Sequence, residues 1–135
     1  MARKQHTNTG LIRGRLNPCP DMPNCKVSMY PQDQKHHMEP WFYHKSREEV
    51  IKILLEVLDT ESRVEIIEQQ SHYIHAVFTI AIMKFKDDLE LFLPEDENVI
   101  HFRSASRVGY SDLGVNKRRL RRIQRKLSNR GVITI

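Results

Sequence analysis

Between Arg103 and Arg122 the chain reads RSASRVGYSDLGVNKRRLRR, a run of serines, arginines, a tyrosine, an aspartate and two glycines between a strand-like and a helix-like segment. A segment that only reverses the chain needs fewer and simpler residues. Guanidinium and hydroxyl groups at this density bind anions and donate hydrogen bonds. Arg103, Ser104, Ser106, Arg107, Tyr110, Ser111, Asp112 and Asn116 are therefore the candidate ligand-binding residues of the loop. Gly109 and Gly114 permit positive φ, so the backbone can wrap a small group, and the amides that open a following helix attract negative charge. The competing structural reading is that Asp112 or Asn116 caps that helix while Arg107 pairs with a nearby acid.

Strand alternation supplies a second set, since His75, Glu90, His101 and Arg103 fall on one side of three consecutive strand-like runs. A carboxylate that orients a histidine, beside an arginine with its planar fork, can hold an anionic ligand. The same four can equally form an internal salt-bridge network that closes the sheet against another segment, and charged residues on a covered face pair with one another first. His72 and His75 do not chelate a metal together from a regular strand, because residues three apart point to opposite faces.

Cys19 and Cys25, in Cys-x5-Cys spacing around Pro20 and Pro23, form a possible redox pair. Three states are open to them: reduced structural thiols, the first expectation for a cytosolic chain, a reversible disulfide, or metal binding. Two thiols are half a zinc site, and His36-His37 stand at a spacing that matches no usual zinc module. No metal or cofactor is expected. The Ser-x-x-Lys, Gly-x-Ser-x-Gly, phosphate-loop and dinucleotide patterns are absent, so no common enzyme class is indicated.

The elements that must position these groups follow from periodicity. Residues 1–45 hold five of the six prolines and both cysteines with no regular period, and are expected to form an extended arm, pinned by Trp41, Phe42 and Tyr43. Residues 46–135 are expected to form the α-β-β-β-β-α domain with a short C-terminal tail. Ser46-Arg47-Glu48-Glu49 has capping-box form and predicts a helix to about Asp59. Strand-like runs at 63–69, 73–84, 88–93 and 98–104 predict an antiparallel meander. Ile74, Ala76, Phe78, Ile80 and Ile82, then Leu89, Leu91 and Leu93, then Ile100 and Phe102, should face the helices. A last helix should start near Asn116 and stop before Gly131, and the tail at 132–135 has strand composition. The fold class is thus α+β: an antiparallel sheet of four to five strands, two helices on one face and the arm across the other.

Four motifs stand out along the chain: Pro18-Cys19-Pro20 with Pro23-Asn24-Cys25, His72-Tyr73-Ile74-His75-Ala76, Asp87-Asp88-Leu89-Glu90, and the run from Arg103 to Asn116. In these the chain resembles the family catalogued as domain of unknown function 1499, small proteins of bacteria and plants. It departs after Cys25, where the family has Val-Ser-Ser and this chain has Lys26-Val27-Ser28. The resemblance implies no activity.

Charge is uneven along the chain. Of the 22 basic residues eight stand after Asp112, and without them 14 basic residues face 17 acidic ones. A solvated helix face explains such a run as readily as a polyanion, a lipid surface or a phosphate ligand. No stretch approaches the ~20 apolar residues that span a bilayer, and the polar start predicts cytoplasmic residence. The leading functional expectation is a binding module for a small anionic ligand or acidic partner, using the polar sheet face and the 103–116 loop. The alternatives are a hydrolytic enzyme, with Cys19 or Cys25 as nucleophile or Asp112 and a histidine as acid/base pair, and nucleic-acid binding by the basic helix. The last is the weakest, since that helix lacks aromatic platforms.

Overall fold

Ser46 opens the first helix as its sequence demands: its side chain accepts from the Glu49 amide at 3.2 Å, and α1 runs Arg47–Asp59. The Glu49 carboxylate accepts from the Ser46 hydroxyl, 3.2 Å away, instead of reaching the cap's own amide. In the computed structural model, which describes residues 8–109 and 111–134, this helix is followed by β3 (Val64–Gln69), β4 (Tyr73–Thr79), β5 (Lys86–Phe92), β6 (Val99–Ser106) and α2 (Val115–Asn129). Two short strands precede it in the arm, β1 (Cys25–Val27) and β2 (Trp41–Phe42). The sheet is antiparallel in the order β1-β6-β5-β4-β3, with β2 pairing β6 further along the same edge.

Alternation decides the layers. Ile74, Ala76, Phe78, Leu89, Leu91, Ile100 and Phe102 pack against Val50, Leu54 and Leu58 of α1 and Leu120, Ile123 and Leu127 of α2. On the opposite face Leu16, Val27 and Met29 of the arm cover Tyr73 and Phe92. Leu16, Val27 and Met29 of the arm therefore lie on the side of the sheet opposite the helices, while Trp41 and Tyr43 return to the helix side. Trp41 and Tyr43 are buried as expected of pinning residues, whereas Phe42 is exposed.

One expectation needs correction. β4 ends at Thr79, paired with Lys86, because Ile80 N donates to Phe85 O and Lys84 N to Ile80 O, both at 2.8 Å, closing a turn. Ile80 and Ile82 consequently leave the core face, and Ile82 is 89% exposed. Among the described residues of the C-terminal tail, Ile133 forms an antiparallel bridge with Tyr43, next to β2, and His44 N donates to Val132 O. Gly131 takes φ +72° after α2, and Val132 N closes the helix end on Leu127 O at 3.0 Å.

Candidate functional site

The register sets His75 opposite Glu90 and Glu90 opposite Arg103, so the predicted row exists across β4, β5 and β6. Its partners are more specific than alternation could say. Arg103, 3% exposed, lies with its Nη1 3.7 Å from the fully buried Glu90 Oε1, and its Nη2 donates to Pro18 O at 3.3 Å. Glu90 Oε2 accepts from the Tyr73 hydroxyl at 2.5 Å and from the Gly10 amide at 2.8 Å. His75 turns to Asp88 instead, with Nε2 2.7 Å from Oδ1, and Arg107 holds the same carboxylate through a fork at 2.9 Å on both arms. His101 stands apart, its Nδ1 2.8 Å from Ser28 Oγ.

Burial and pairing set the charges. Desolvation pushes the Glu90 carboxyl up despite Tyr73, Gly10 and Arg103, and pushes the Arg103 guanidinium down despite Glu90. Burial also opposes ionisation of Asp88, yet hydrogen bonds from His75 and Arg107 hold its carboxyl below the usual range. Tyr73 is raised by burial and by the Glu90 carboxylate it donates to. His101 is lowered by burial. Among the described residues Glu90 Oε1 and Arg103 Nε have no hydrogen-bond partner.

The loop residues form a second network on the helix side. Asp112 accepts from the amides of Gly114 and Asn116 at 2.8 and 3.1 Å and from Asn116 Nδ2 at 2.7 Å. Burial would raise its carboxyl, but those donors hold it low. Asn116 does not cap α2; it sits inside the first turn, buried, taking Ser104 Oγ at 2.6 Å and giving to Ser106 Oγ at 3.0 Å and Asn24 O at 3.2 Å. Ser111 is exposed and its Oγ accepts from the Leu113 amide at 3.3 Å. Tyr110 lies outside the described residues.

Arg119 completes this network and was not anticipated. Its Nη2 donates to Asp87 Oδ2 at 2.7 Å and its Nη1 to Asn116 Oδ1 at 2.9 Å, with the guanidinium over the Phe78 ring at 4.4 Å. Burial pushes Asp87 up and Arg119 down. A signal was present: Asn116, Leu120, Ile123 and Leu127 continue one stripe of α2, and Arg119 is three residues from Asn116 and beside Leu120.

Cys19 and Cys25 are joined as a disulfide, with Cα atoms 5.8 Å apart, rather than being reduced thiols. Cys25 is fixed in β1 opposite Ala105, and the Pro18-Cys19-Pro20 segment folds back onto it, which brings the pair within bonding range. A thiolate nucleophile is therefore absent here. Asp112 is engaged by backbone and Asn116 donors and has no histidine partner among the described residues.

Half of the cations after Asp112 are matched by carboxylates. Besides Arg119 with Asp87, Arg122 holds Glu61 at 2.5 Å, Lys126 reaches the same buried Glu61, and Arg130 meets Glu56 at 2.7 Å. Burial would raise Glu61, but Arg122 and Lys126 hold it low. Lys117, Arg118, Arg121 and Arg125 are exposed with no carboxylate partner among the described residues, and Arg118 Nη1 donates to Leu113 O at 2.8 Å. Lys117 and Arg121 line a groove of about 450 Å³ between α2 and the arm, with Lys26, His37 and Trp41 on its other wall. Glu39 is the one acid among its lining residues. Lys117 and Arg121 belong to the basic run already noted, but periodicity does not show that Lys26, His37 and Trp41 face them, since the arm has no period to place it beside α2.

A sequence profile described as "Protein of unknown function (DUF1499)" matches residues 15–127. Neither a curated protein nor a solved structure matches the chain.

Proposed function

This chain belongs to the DUF1499 family of proteins of unknown function, and we propose that it is a binding module for small, multiply charged anions taken in the groove between α2 and the arm. The observation that carries this is the unmatched charge of Lys117 and Arg121 in a concave site that also offers Lys26 and His37. An anion entering it gains charge-assisted hydrogen bonds from Lys117 and Arg121 without displacing a carboxylate from either, while His37 Nδ1 lies 3.9 Å from Glu39 Oε1 and Lys26 Nζ donates to Lys35 O at 2.9 Å. The polar sheet face is the poorer host: Glu90 sits by Arg103 and Asp88 is held by Arg107, so a ligand there must break buried pairs. The 103–116 loop contributes by fixing the start of α2, and so the position of Lys117, through Asp112 and Asn116. In this reading the protein works where the Cys19–Cys25 bond persists, an oxidising compartment.

Thermal unfolding with phosphate, sulfate and citrate tests the proposal. Saturable stabilisation is expected for at least one anion, reaching ~2.7 kcal/mol near a hundredfold excess over Kd. Lys117→Ala with Arg121→Ala should abolish that gain while leaving the ligand-free midpoint in place, as both side chains are exposed. No stabilisation by any anion, or an equal response of the double variant, overturns it.

A further inference from the structure

The turn between β4 and β5 carries a feature that neither the groove nor the core uses. Ile82 is 89% exposed, Met83 61% and Leu113, from the turn before α2, 83%. Leu113 also holds φ +55°, a left-handed conformation that costs a leucine energy while its side chain stays in solvent. The two turns are one surface: Met83, Phe85 and Leu113 line a common cleft of about 290 Å³ with Ile80, Val108 and Val115. This cluster is built rather than loose, since the 80–85 turn is closed by the Ile80 to Phe85 and Lys84 to Ile80 hydrogen bonds.

Cations stand beside it in the chain: Lys84 and Lys86, both exposed, follow Met83 and Phe85, and Arg118 donates to Leu113 O. The acids lining the cleft are engaged, Asp87 by Arg119 and Asp112 by the amides of Gly114 and Asn116. Exposed isoleucine and methionine beside lysine and arginine match the chemistry of a bilayer interface, where apolar side chains enter the acyl boundary and cations meet phosphate headgroups. An acidic protein surface satisfies the cations and leaves the apolar tip wet; a purely apolar partner leaves the cations unmatched. Going beyond the groove, we propose that the 80–85 turn and Leu113 dock this protein on a membrane surface rich in anionic phospholipid, with Lys84, Lys86 and Arg118 facing the headgroups.

Co-sedimentation of the full chain with phosphatidylcholine vesicles, with and without about 30% phosphatidylglycerol, tests this. Binding to the anionic vesicles should exceed binding to the neutral ones by roughly tenfold or more at low salt and weaken as salt rises. Ile82→Ser with Met83→Ser keeps the net charge, and at such exposed positions keeps the fold, which circular dichroism checks; it should lower anionic-vesicle binding by roughly tenfold or more. Lys117→Ala with Arg121→Ala, which removes the groove cations, should retain the dependence on Ile82 and Met83, separating failure of this inference from failure of the anion groove. Absence of sedimentation with anionic vesicles, or serine variants that bind as the parent does, overturns the proposal. So does loss of a concentration-dependent dimer in the serine variants without loss of vesicle binding, which assigns the tip to self-association.

Discussion

Arg103 stands where the arm, the sheet face and the exit to the loop meet, which makes it the most sensitive single position. Arg103→Ala leaves Glu90 fully buried with the Tyr73 hydroxyl and the Gly10 amide but no cation. Loss of one partner of such a pair costs on the order of 3–5 kcal/mol, a large part of a margin of roughly 5–15 kcal/mol. Urea unfolding should register that loss, with Arg103→Lys falling between alanine and the parent because it keeps the charge and loses the fork. A loss of under about 1 kcal/mol for alanine would refute a structural role. Acid titration separates the carboxylates. Asp88 is held below its ordinary value against burial by His75 and Arg107, so its stabilisation is present above about pH 4 and lost as pH falls through its folded pKa. Asp112 and Glu61 share that sign, whereas Asp87 and Glu90, raised by burial, favour the fold at low pH and lose that contribution as pH rises. Asp88→Asn should therefore lower stability at pH 7 and flatten the acid limb of a stability profile; an unchanged slope contradicts the assignment. Alternation identified the face of His75, Glu90, His101 and Arg103, because period two is fixed by the backbone. Which neighbour each side chain takes was not legible, since His75 chooses Asp88 on its own face by rotamer, and Ser28 reaches His101 from the arm.

Among the elements, α1, the meander and α2 were readable because each repeats its period over several residues. β1 and β2 were not, since strands of three and two residues are too short to show alternation and owe their existence to the free edge of β6. The 73–84 run was over-extended because Ile80 and Ile82 keep the period while the turn hydrogen bonds end the strand at Thr79. The start of α2 rests on Asp112, two residues before the glycine at the cap position, whose own side chain offers nothing. Asp112→Ala should cost about 1–2 kcal/mol, read from urea unfolding, as loss of a capping carboxylate does elsewhere. The disulfide spans a short loop, and closing it constrains the unfolded chain. Cys19→Ser with Cys25→Ser should lower stability by about 2 kcal/mol by the chain-entropy estimate, and an unaltered urea midpoint would show that the bond does no such work.

At the scale of the whole molecule, the helices cover one face of the sheet, the earlier part of the arm covers the other, and Trp41 and Tyr43 bring the arm back to the helix side; the two buried networks hold these layers together. Arg103 ties β6 to the arm through Pro18, while Asn116 ties α2 to the arm through Asn24 and to β6 through Ser104. With the candidate residues spent on that closure, four of the eight cations after Asp112 have no carboxylate partner among the described residues, and two of them fall in the groove that the arm completes. The layered fold was legible from the order of elements; the groove was not, because it needs the arm's path, which no periodicity specifies. The most direct measurement of the proposed role is heteronuclear NMR of the protein titrated with inorganic phosphate. Saturable shifts should concentrate at the amides and side chains of Lys26, His37, Lys117 and Arg121, with little change at His75, Glu90 or Arg103. Shifts centred on Arg103 and Arg107, or none that saturate, would contradict it.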